Sequence, residues 1–352
     1  MNNAEAPQNP SLRESKFYRN LPESRVQCEA CERCCTIDLN QTGFCKTRTN
    51  IGGRIHTLVY GKISSMSANP IEKKPFFHYW PGSYALTVGT YGCNYTCWWC
   101  QNFSISKVSP SKDTRDYVSP TRLVELAERE GCQGISYSFN EPTLLLDHAL
   151  DTFPIARRNR LYCNYVSNGY MTEKALRALW EAGMDAIKFD LKGDHETYQR
   201  FCDADAEVVW RNVAEARRIG LHVEIVTLVI PNVNDREETI RGIARRIATE
   251  HEPEIPLHFT RYYPAYKFTA PSTPVTTLEW AHRVAKEEGC RYVYIGNVPG
   301  HPLENTICPT CGRVLIRRYG FEVTSFNLTP EHKCPGCGLS IPIVGRYVEH
   351  SK

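Results

Sequence analysis

Three cysteines in the spacing C-x3-C-x2-C follow a strand-like run, Tyr84 to Thr90. They are Cys93, Cys97 and Cys100. Three thiolates on one short loop can hold three irons of a cubic [4Fe–4S] cluster and leave the fourth iron without a protein ligand. Such an open iron can chelate a substrate, and an aromatic side chain such as Trp99 can cover the cluster face. The alternatives are a fragment of a structural zinc site and a set of reduced core cysteines.

The C-terminal part of the chain carries two C-x2-C pairs, each followed by a glycine that permits a tight turn: Cys308, Cys311, Cys334 and Cys337. This arrangement is typical of a zinc ribbon, whose tetrahedral site is closed and structural. The β-rich run Val314 to Phe326 suits the hairpin of a ribbon. A rubredoxin-like iron or an auxiliary cluster is the alternative.

A third group of cysteines lies near the N-terminus: Cys28, Cys31, Cys34, Cys35 and Cys45. Five cysteines for four ligand positions leave one spare. By spacing, zinc and an auxiliary iron–sulfur cluster are nearly equal. Zinc is slightly favoured, because a small segment without its own core needs a metal to hold it together.

Twelve of the sixteen cysteines fall into these three groups. The other four are predicted to be buried thiols: Cys132, Cys163, Cys202 and Cys290. The N-terminus has no apolar signal core, so the cysteines indicate a reducing cytoplasm and metal ligation rather than disulfides.

Composition excludes several classes of protein. The 352 residues are 41% hydrophobic and 23% charged, which is ordinary for a globular protein with a core. A net charge of +3 indicates neither nucleic acid nor a membrane surface as partner. No apolar run is long enough for a transmembrane helix.

On three successive strand-like runs, polar residues alternate with apolar ones. In a barrel, the polar side chains of such strands would point to the interior. The polar set is Lys188, Asp190 and Lys192, then His222 and Glu224, then His258 and Thr260. Burying charge is costly unless it is paired or used, so the pattern favours a polar ligand inside the barrel. An exposed edge strand is the alternative for the first run.

Two polar loops follow predicted strands. Ser138-Phe139-Asn140-Glu141-Pro142 ends the second barrel strand, and its carboxylate could pair with the ammonium of a bound amino acid. Ser167-Asn168-Gly169 follows the third strand. Tyr60, Lys74 and His301 are only candidates for lining the site, and no general acid, base or radical relay is assigned.

The elements that must position these residues alternate between strand and helix patterns from Tyr84 to about Asn297. Such alternation predicts a parallel sheet with crossover helices, here a partial (β/α)6 barrel with reactive groups on the loops after the strands. A doubly wound open sheet is the alternative. The expected division is a disordered or extended tail (1–25), a cysteine-rich and β-rich segment (26–82), the barrel (83–300) and a zinc-ribbon module (301–352). Two β-rich runs in the second segment meet at Gly61.

The cysteine loop resembles the signature of the radical S-adenosylmethionine (radical SAM) superfamily, in which the fourth iron binds the amine and carboxylate of SAM. The barrel is similar to that of pyruvate formate-lyase activating enzymes. By this resemblance Glu141 meets the SAM amine, Asp190-Leu191-Lys192 matches an Asp-Leu-Lys motif and His258 lies near the ribose. Together with the residue patterns above, the predicted cofactor-binding residues are Trp99, Asn140, Glu141, Ser167, Asn168, Lys188, Asp190, Lys192, Glu224 and His258. Phe139 and Asn140 replace two glycines of the family motif, and Val166 replaces an aspartate.

From Val26 onward the chain also resembles the AmmeMemoRadiSam system radical SAM enzymes. The shared motifs include Cys28, Cys31, Cys35 and Cys45, Pro70-Ile71-Glu72-Lys73-Lys74-Pro75, Asn140-Glu141-Pro142-Thr143 and Gly296-Asn297-Val298-Pro299-Gly300-His301. By this resemblance Cys34 is the spare cysteine. The group has no settled substrate.

Together these resemblances imply a [4Fe–4S] enzyme that cleaves SAM reductively and abstracts hydrogen from an unidentified substrate. A small donor protein such as flavodoxin or ferredoxin would supply the electron. A glycyl-radical-enzyme activase is the alternative within this class. Outside it, the alternative is a non-enzymatic zinc-ribbon module that binds nucleic acid or protein, against which the long β/α region argues.

Overall fold

The computed structural model describes residues 9–111 and 113–349. They form two compact units. The first comprises the chain up to Ala68, Leu86–Tyr95 and Asn102–Asp185. The second comprises Asn69–Ala85, Thr96–Gln101 and the chain from Ala186 onward.

The strands, in chain order, are β1 (Arg13–Glu14), β2 (Tyr18–Asn20), β3 (Val26–Cys28), β4 (Thr36–Ile37), β5 (Arg48–Ile51), β6 (Arg54–Thr57), β7 (Ser65–Pro70), β8 (Tyr84–Gly89), β9 (Gly134–Tyr137), β10 (Tyr162–Ser167), β11 (Ala186–Asp190), β12 (His222–Val229), β13 (Leu257–Arg261), β14 (Val293–Gly296), β15 (Thr306–Ile307), β16 (Val314–Tyr319) and β17 (Glu322–Phe326). The helices are α1 (Phe103–Ser106), α2 (Pro120–Arg129), α3 (Leu146–Arg158), α4 (Glu173–Ala182), α5 (His195–Thr197), α6 (Ala206–Arg218), α7 (Glu237–Glu250) and α8 (Val275–Glu287).

The first unit carries strands in the order β10-β9-β8-β7, and β9 and β10 pair in parallel. Two of its helices begin at residues whose side chains cap them. Ser119 caps α2 by accepting a 3.2 Å hydrogen bond from Arg122 N, and Thr172 caps α4 through Ala175 N at 3.1 Å. These caps satisfy backbone N–H groups that the first helical turn leaves unpaired.

The N-terminal part of the first unit forms two small antiparallel sheets, ordered β1-β6-β5 and β2-β3-β4. Of the predicted tail 1–25, residues 1–8 lie outside the described residues, and the rest contributes β1 and β2. The two β-rich runs that meet at Gly61 lie in different sheets, because β6 pairs with β5 and β1 while β7 lies beside β8.

The second unit carries strands in the order β14-β13-β12-β11, all parallel. Helix α6 packs on β11 and β12, and α8 packs on β13 and β14. The apolar residues of β11, Ile187 and Phe189, are fully buried. The predicted parallel sheet with crossover helices is therefore confirmed.

The C-terminal module of the second unit is the three-stranded antiparallel sheet β15-β16-β17, with the predicted hairpin between Val314 and Phe326. It packs on the end of β14 through a buried cluster of Phe77, Tyr292, Tyr294, Cys308, Leu315, Ile316, Cys334, Ile341 and Ile343. The module therefore shares a core with its unit. Across residues 9–111 and 113–349, no helix has the length and apolar character needed to cross a bilayer.

Candidate cofactor site

The cysteine loop runs from the end of β8 to α1, and its residues divide between the two units at Tyr95 and Thr96. The three cysteines are each partly exposed. Cys93 Sγ accepts a 3.4 Å hydrogen bond from Tyr95 N. Trp99 is buried, with its ring 5.4 Å from that of Phe201.

Cys202 is a buried thiol, as the sequence predicts, but it also lies next to the cysteine loop. Its Sγ is 3.6 Å from Cys97 Sγ. Thr96 N donates to Cys202 O at 3.2 Å, and Thr96 Oγ1 donates to Phe201 O at 3.3 Å. Sequence reasoning missed this neighbour because Cys97 and Cys202 are 105 positions apart, and no local pattern signals the contact.

Asn140 joins the loop after β9 to the loop after β8. Its Oδ1 accepts a 3.1 Å hydrogen bond from Thr90 N, and its Nδ2 donates to Gly92 O at 2.7 Å. Phe139, which replaces a family glycine, takes up the left-handed backbone at φ +68°. The departure from the family motif is thus accommodated in the backbone, and Asn140 adds contacts that glycine could not make.

Glu141 is buried and accepts four hydrogen bonds within the first unit. Thr143 N, Thr143 Oγ1 and Ser167 Oγ donate to Oε1 at 3.0, 2.5 and 2.9 Å, and Asn168 N donates to Oε2 at 2.8 Å. Burial raises the pKa of Glu141, and these hydrogen bonds oppose the shift. The carboxylate therefore links three predicted site residues in one network.

Lys188 of β11 and Lys192, two residues after the strand ends, both contact the carboxylate of Asp190, Lys192 at 3.2 Å. Lys188 and Asp190 lie on one face of the strand, as the alternation predicts. Burial by itself raises the pKa of Asp190, but the two ammonium groups outweigh it and hold that pKa at about 2. The triad is therefore a paired charge cluster in which Lys188 is buried and Asp190 and Lys192 are half-buried, rather than an exposed edge.

Glu224 lies at the centre of a second buried network. Its carboxylate accepts hydrogen bonds from Phe77 N at 3.0 Å and His78 N at 2.8 Å. His222 Nε2 lies 2.9 Å from Oε1, and His258 Nε2 lies 2.7 Å from Oε2. Burial raises the pKa of Glu224, but the two histidines outweigh it and lower that pKa. Glu224 thus fixes the 77–78 backbone and orients His258.

The second unit contains a cavity of about 220 Å³ beside this network. Its lining includes Gln101, which follows Cys100 on the loop, together with His258, Thr260 and Asn297. Polar groups of β13 and of the loop after β14 thus face the cavity, which suits a polar ligand.

The three residues that the sequence offers only as lining candidates lie in different surroundings. Tyr60 OH donates to Asp151 Oδ2 at 2.6 Å. His301 Nε2 lies 3.2 Å from Glu279 Oε1. Lys74 is buried, and burial lowers its pKa to about 7 with help from Lys73 and Lys188.

Comparison with known proteins places the chain in a family. The sequence profile described as Radical SAM superfamily matches residues 87–243, the stretch from β8 to α7. "Uncharacterized protein MJ0808" of Methanocaldococcus jannaschii is 42% identical over 335 residues, which cover 95% of this chain and 100% of that protein. The chain belongs to the radical SAM superfamily.

Two other similarities are more distant. A GTP 3',8-cyclase of Nautilia profundicola is 27% identical over 150 residues, 41% of this chain and 46% of that protein. A domain of a pyruvate-formate lyase-activating enzyme from Bacteroides vulgatus is similar in structure, with a TM-score of 0.41, 18% identity and coverage of 47% of this chain and 99% of the domain. The parallel sheet with crossover helices, together with the superfamily match, gives the chain a mixed α/β fold of the radical SAM type.

Radical SAM enzymes use a [4Fe–4S] cluster and SAM, and the residues around Cys93 fit such an occupant. Thr90 Oγ1 and Asn94 Nδ2, on either side of Cys93, are buried and have no hydrogen-bond partner among the described residues. Buried polar atoms are normally paired, so a bound polar group can satisfy these two. Cys93, Cys97 and Cys100 would hold the cluster, which together with SAM supplies a 5′-deoxyadenosyl radical when bound.

The four C-terminal cysteines form a compact group that could hold zinc. Their sulfur atoms all lie within 4.8 Å of one another, with Cys308 and Cys337 3.6 Å apart and Cys311 and Cys334 3.5 Å apart. Gly312 N donates to Cys308 O at 3.0 Å and Gly338 N to Cys334 O at 2.8 Å. The two turns are therefore equivalent, as in a zinc ribbon.

The N-terminal cysteines enclose a different space. Cys28, Cys31, Cys35 and Cys45 line one small cavity in the first unit. Cys34 does not belong to that lining, and its Sγ lies 3.7 Å from Cys31 O.

Proposed function

We propose that this radical SAM enzyme binds its [4Fe–4S] cluster through Cys93, Cys97 and Cys100, cleaves SAM reductively and removes a hydrogen atom from an organic substrate. The observation that carries the proposal is the C-x3-C-x2-C loop at the end of β8, inside the stretch that matches the superfamily. The radical chemistry belongs to the cofactors, and the protein binds, orients and excludes water.

The residues of the chain have distinct parts in this proposal. Asn140 holds the loop backbone from the β9 side. Glu141, Ser167 and Asn168 form the network that would receive the SAM amine. Lys188, Asp190 and Lys192 would present charge to the methionyl part, and His258, held by Glu224, would face the ribose. Trp99 would cover the cluster.

The partners and setting follow from the chemistry. A one-electron donor protein such as flavodoxin or ferredoxin would supply the electron, and the substrate would enter beside the cavity that Gln101 and His258 line. None of the sixteen cysteines, all of which lie among the described residues, forms a disulfide. Reduced thiols and an oxygen-sensitive cluster suit the cytoplasm. Membership of the AmmeMemoRadiSam group stays a prediction.

The test is anaerobic reconstitution with iron, sulfide, dithionite and SAM, followed by chromatography for 5′-deoxyadenosine. Wild-type protein should form it, and Cys97→Ala should lose it together with about four irons per chain. Cys290→Ala is the matched control, because Cys290 is a buried thiol whose Sγ contacts Ala244 O at 3.3 Å. Wild-type protein that holds a full cluster on this loop but neither binds nor cleaves SAM would refute the proposal.

A further inference from the structure

We propose that Cys28, Cys31, Cys35 and Cys45 hold a second iron–sulfur cluster of the cubane type rather than zinc, in contact with the loop that carries Cys93. The sequence alone slightly favours zinc at these residues. The arrangement of the four thiols in the structure favours the cluster.

The four cysteines come from a short, tightly folded segment around β3 and β4. Cys28 N donates to Cys35 O at 2.9 Å, which brings the two ends of the turn together. The four side chains line one cavity, whose remaining walls include Ile37 and Leu144. The site is therefore a largely apolar cage with four thiols, which is the ligand set of a [4Fe–4S] cluster.

The spacing of the thiols separates this cage from a zinc site. A tetrahedral zinc with Zn–S bonds of about 2.3 Å draws its four sulfurs to roughly 3.8 Å from one another. The C-terminal cysteines match that spacing. Within residues 9–111 and 113–349, they are also the only group of three or more such ligand atoms that all lie within 4.8 Å. In any three of the N-terminal thiols, at least one pair is therefore set wider than zinc draws its ligands.

The charges around the cage suit an anionic occupant. Arg33 and Arg48 belong to its lining, whereas no carboxylate does. Arg48 is buried and pairs with Asp147 at 2.9 Å. The Arg33 guanidinium stacks 3.9 Å from the ring centre of Phe44. A cubane with four thiolates is an anion, and Arg33 supplies positive charge beside it.

Two contacts connect the cage with the Cys93 loop inside the first unit. A Cβ on Gly92 would lie only 2.5 Å from Cys45 O, so the two backbones touch. Arg33 Nε donates to Asn94 O at 2.9 Å. The residues on both sides of Cys93 therefore contact residues of the cage.

This adjacency gives the second cluster a role that rests on the proposed function. It would accept one electron from the donor protein, which is thereby oxidised, and pass that electron to the cluster on the Cys93 loop.

The first experiment counts metals after anaerobic reconstitution with iron and sulfide. Wild-type protein should hold about eight irons and one zinc per chain, and the double variant Cys31→Ala, Cys35→Ala about four irons and one zinc. Cys34→Ala is the matched control and should keep about eight irons. About four irons and two zincs in the wild type would overturn the proposal.

A second variant keeps the test valid if the first one does not fold. The triple variant Cys93→Ala, Cys97→Ala, Cys100→Ala leaves the cage intact and should retain about four irons, with the Mössbauer spectrum of a cubane. Loss of all iron from this folded variant, with zinc rising to about two, would contradict the second cluster.

Electron paramagnetic resonance tests the contact between the clusters. The dithionite-reduced wild type should give a spectrum broadened by spin coupling, unlike the sum of the spectra of the two cluster variants. A spectrum equal to that sum would overturn the electron-passing role. About eight irons per chain without any 5′-deoxyadenosine would instead contradict the proposed function and would still support the second cluster.

Discussion

Asn140 Nδ2 donates a 2.7 Å hydrogen bond to Gly92 O, and the same side chain accepts from Thr90 N at 3.1 Å. One amide thus holds the backbone on both sides of Tyr91, immediately before Cys93. The family motif has a glycine at this position, which could not make either bond. This chain therefore fixes the entry to its cluster loop with a side chain from the neighbouring loop.

We expect Asn140→Ala to lower the free energy of unfolding and the cluster content. The substitution leaves two buried backbone groups, Thr90 N and Gly92 O, without their partner, which costs about 1–3 kcal/mol each. Urea unfolding and iron analysis measure the two effects. Asn159→Ala is the control, because the exposed Asn159 side chain contacts only its own helix, at Ile155 O. Equal stabilities and iron contents for the two variants would contradict the role of Asn140.

Gly92→Ala should destabilise the protein more than Gly131→Ala. Both glycines have positive φ, +80° and +66°, so both substitutions carry the strain of a left-handed backbone, about 1–2 kcal/mol. At Gly131 nothing lies within 4 Å of the new Cβ, whereas at Gly92 it would meet Cys45 O at 2.5 Å and Thr47 Cγ2 at 2.9 Å. The excess loss of stability at Gly92, measured in urea, reports the contact with the N-terminal cage. Equal losses would show that Cys45 can move aside.

Much of this architecture could be predicted because the local patterns agree with it. The alternation on β11 gives one polar and one apolar face, and the structure pairs Lys188, Asp190 and Lys192 as that alternation requires. The ribbon follows from two short cysteine pairs, whose turns need no distant partner. Caps at Ser119 and Thr172 are likewise local.

The rest depends on distant contacts or on exceptions to local rules. Helix α3 is an exception to a local rule, because Pro154 lies inside it and proline normally ends a helix. The approach of Cys202 to Cys97 joins segments with no shared pattern. Glu224 accepts hydrogen bonds from the backbone N–H groups of Phe77 and His78. These two residues lie in a segment without a regular alternation of polar and apolar residues. Only tertiary packing brings these groups together.

Lys74 should make the protein more stable as the pH rises from 7. Burial, with the charges of Lys73 and Lys188, lowers its pKa from 10.5 to about 7. Between these values the unfolded chain binds the proton and the folded chain does not, so the free energy of unfolding increases with pH. The expected gain is roughly 2 kcal/mol between pH 7 and pH 9, at about 1.4 kcal/mol for each pKa unit.

The measurement is urea unfolding of reconstituted protein without SAM at the two pH values. Lys74→Met should remove most of the gain, because a neutral side chain has no proton to release. Lys73→Met, at an exposed neighbouring position, should keep most of it. The free energy of unfolding could instead fall between pH 7 and pH 9 by the same amount in the wild type and in both variants. That result would show that folding does not lower the pKa of Lys74.

The ribbon cysteines should hold one zinc whose removal loosens the second unit. Cys311→Ser replaces one ligand of the compact sulfur group and should reduce zinc from about one to about zero per chain, because a three-thiolate site binds zinc more weakly. Cys308 and Cys334 belong to the buried cluster with Tyr292 and Tyr294. Without the metal these side chains lose their fixed positions, so the melting temperature should fall.

Thr310→Ser, an exposed change between two ligands, should retain both the zinc content and the melting temperature. Because Cys93, Cys97 and Cys100, the proposed [4Fe–4S] ligands, lie outside this group, Cys311→Ser should keep its iron. Simultaneous loss of iron and zinc would mean that the ribbon is required for cluster assembly and not only for the stability of its own unit.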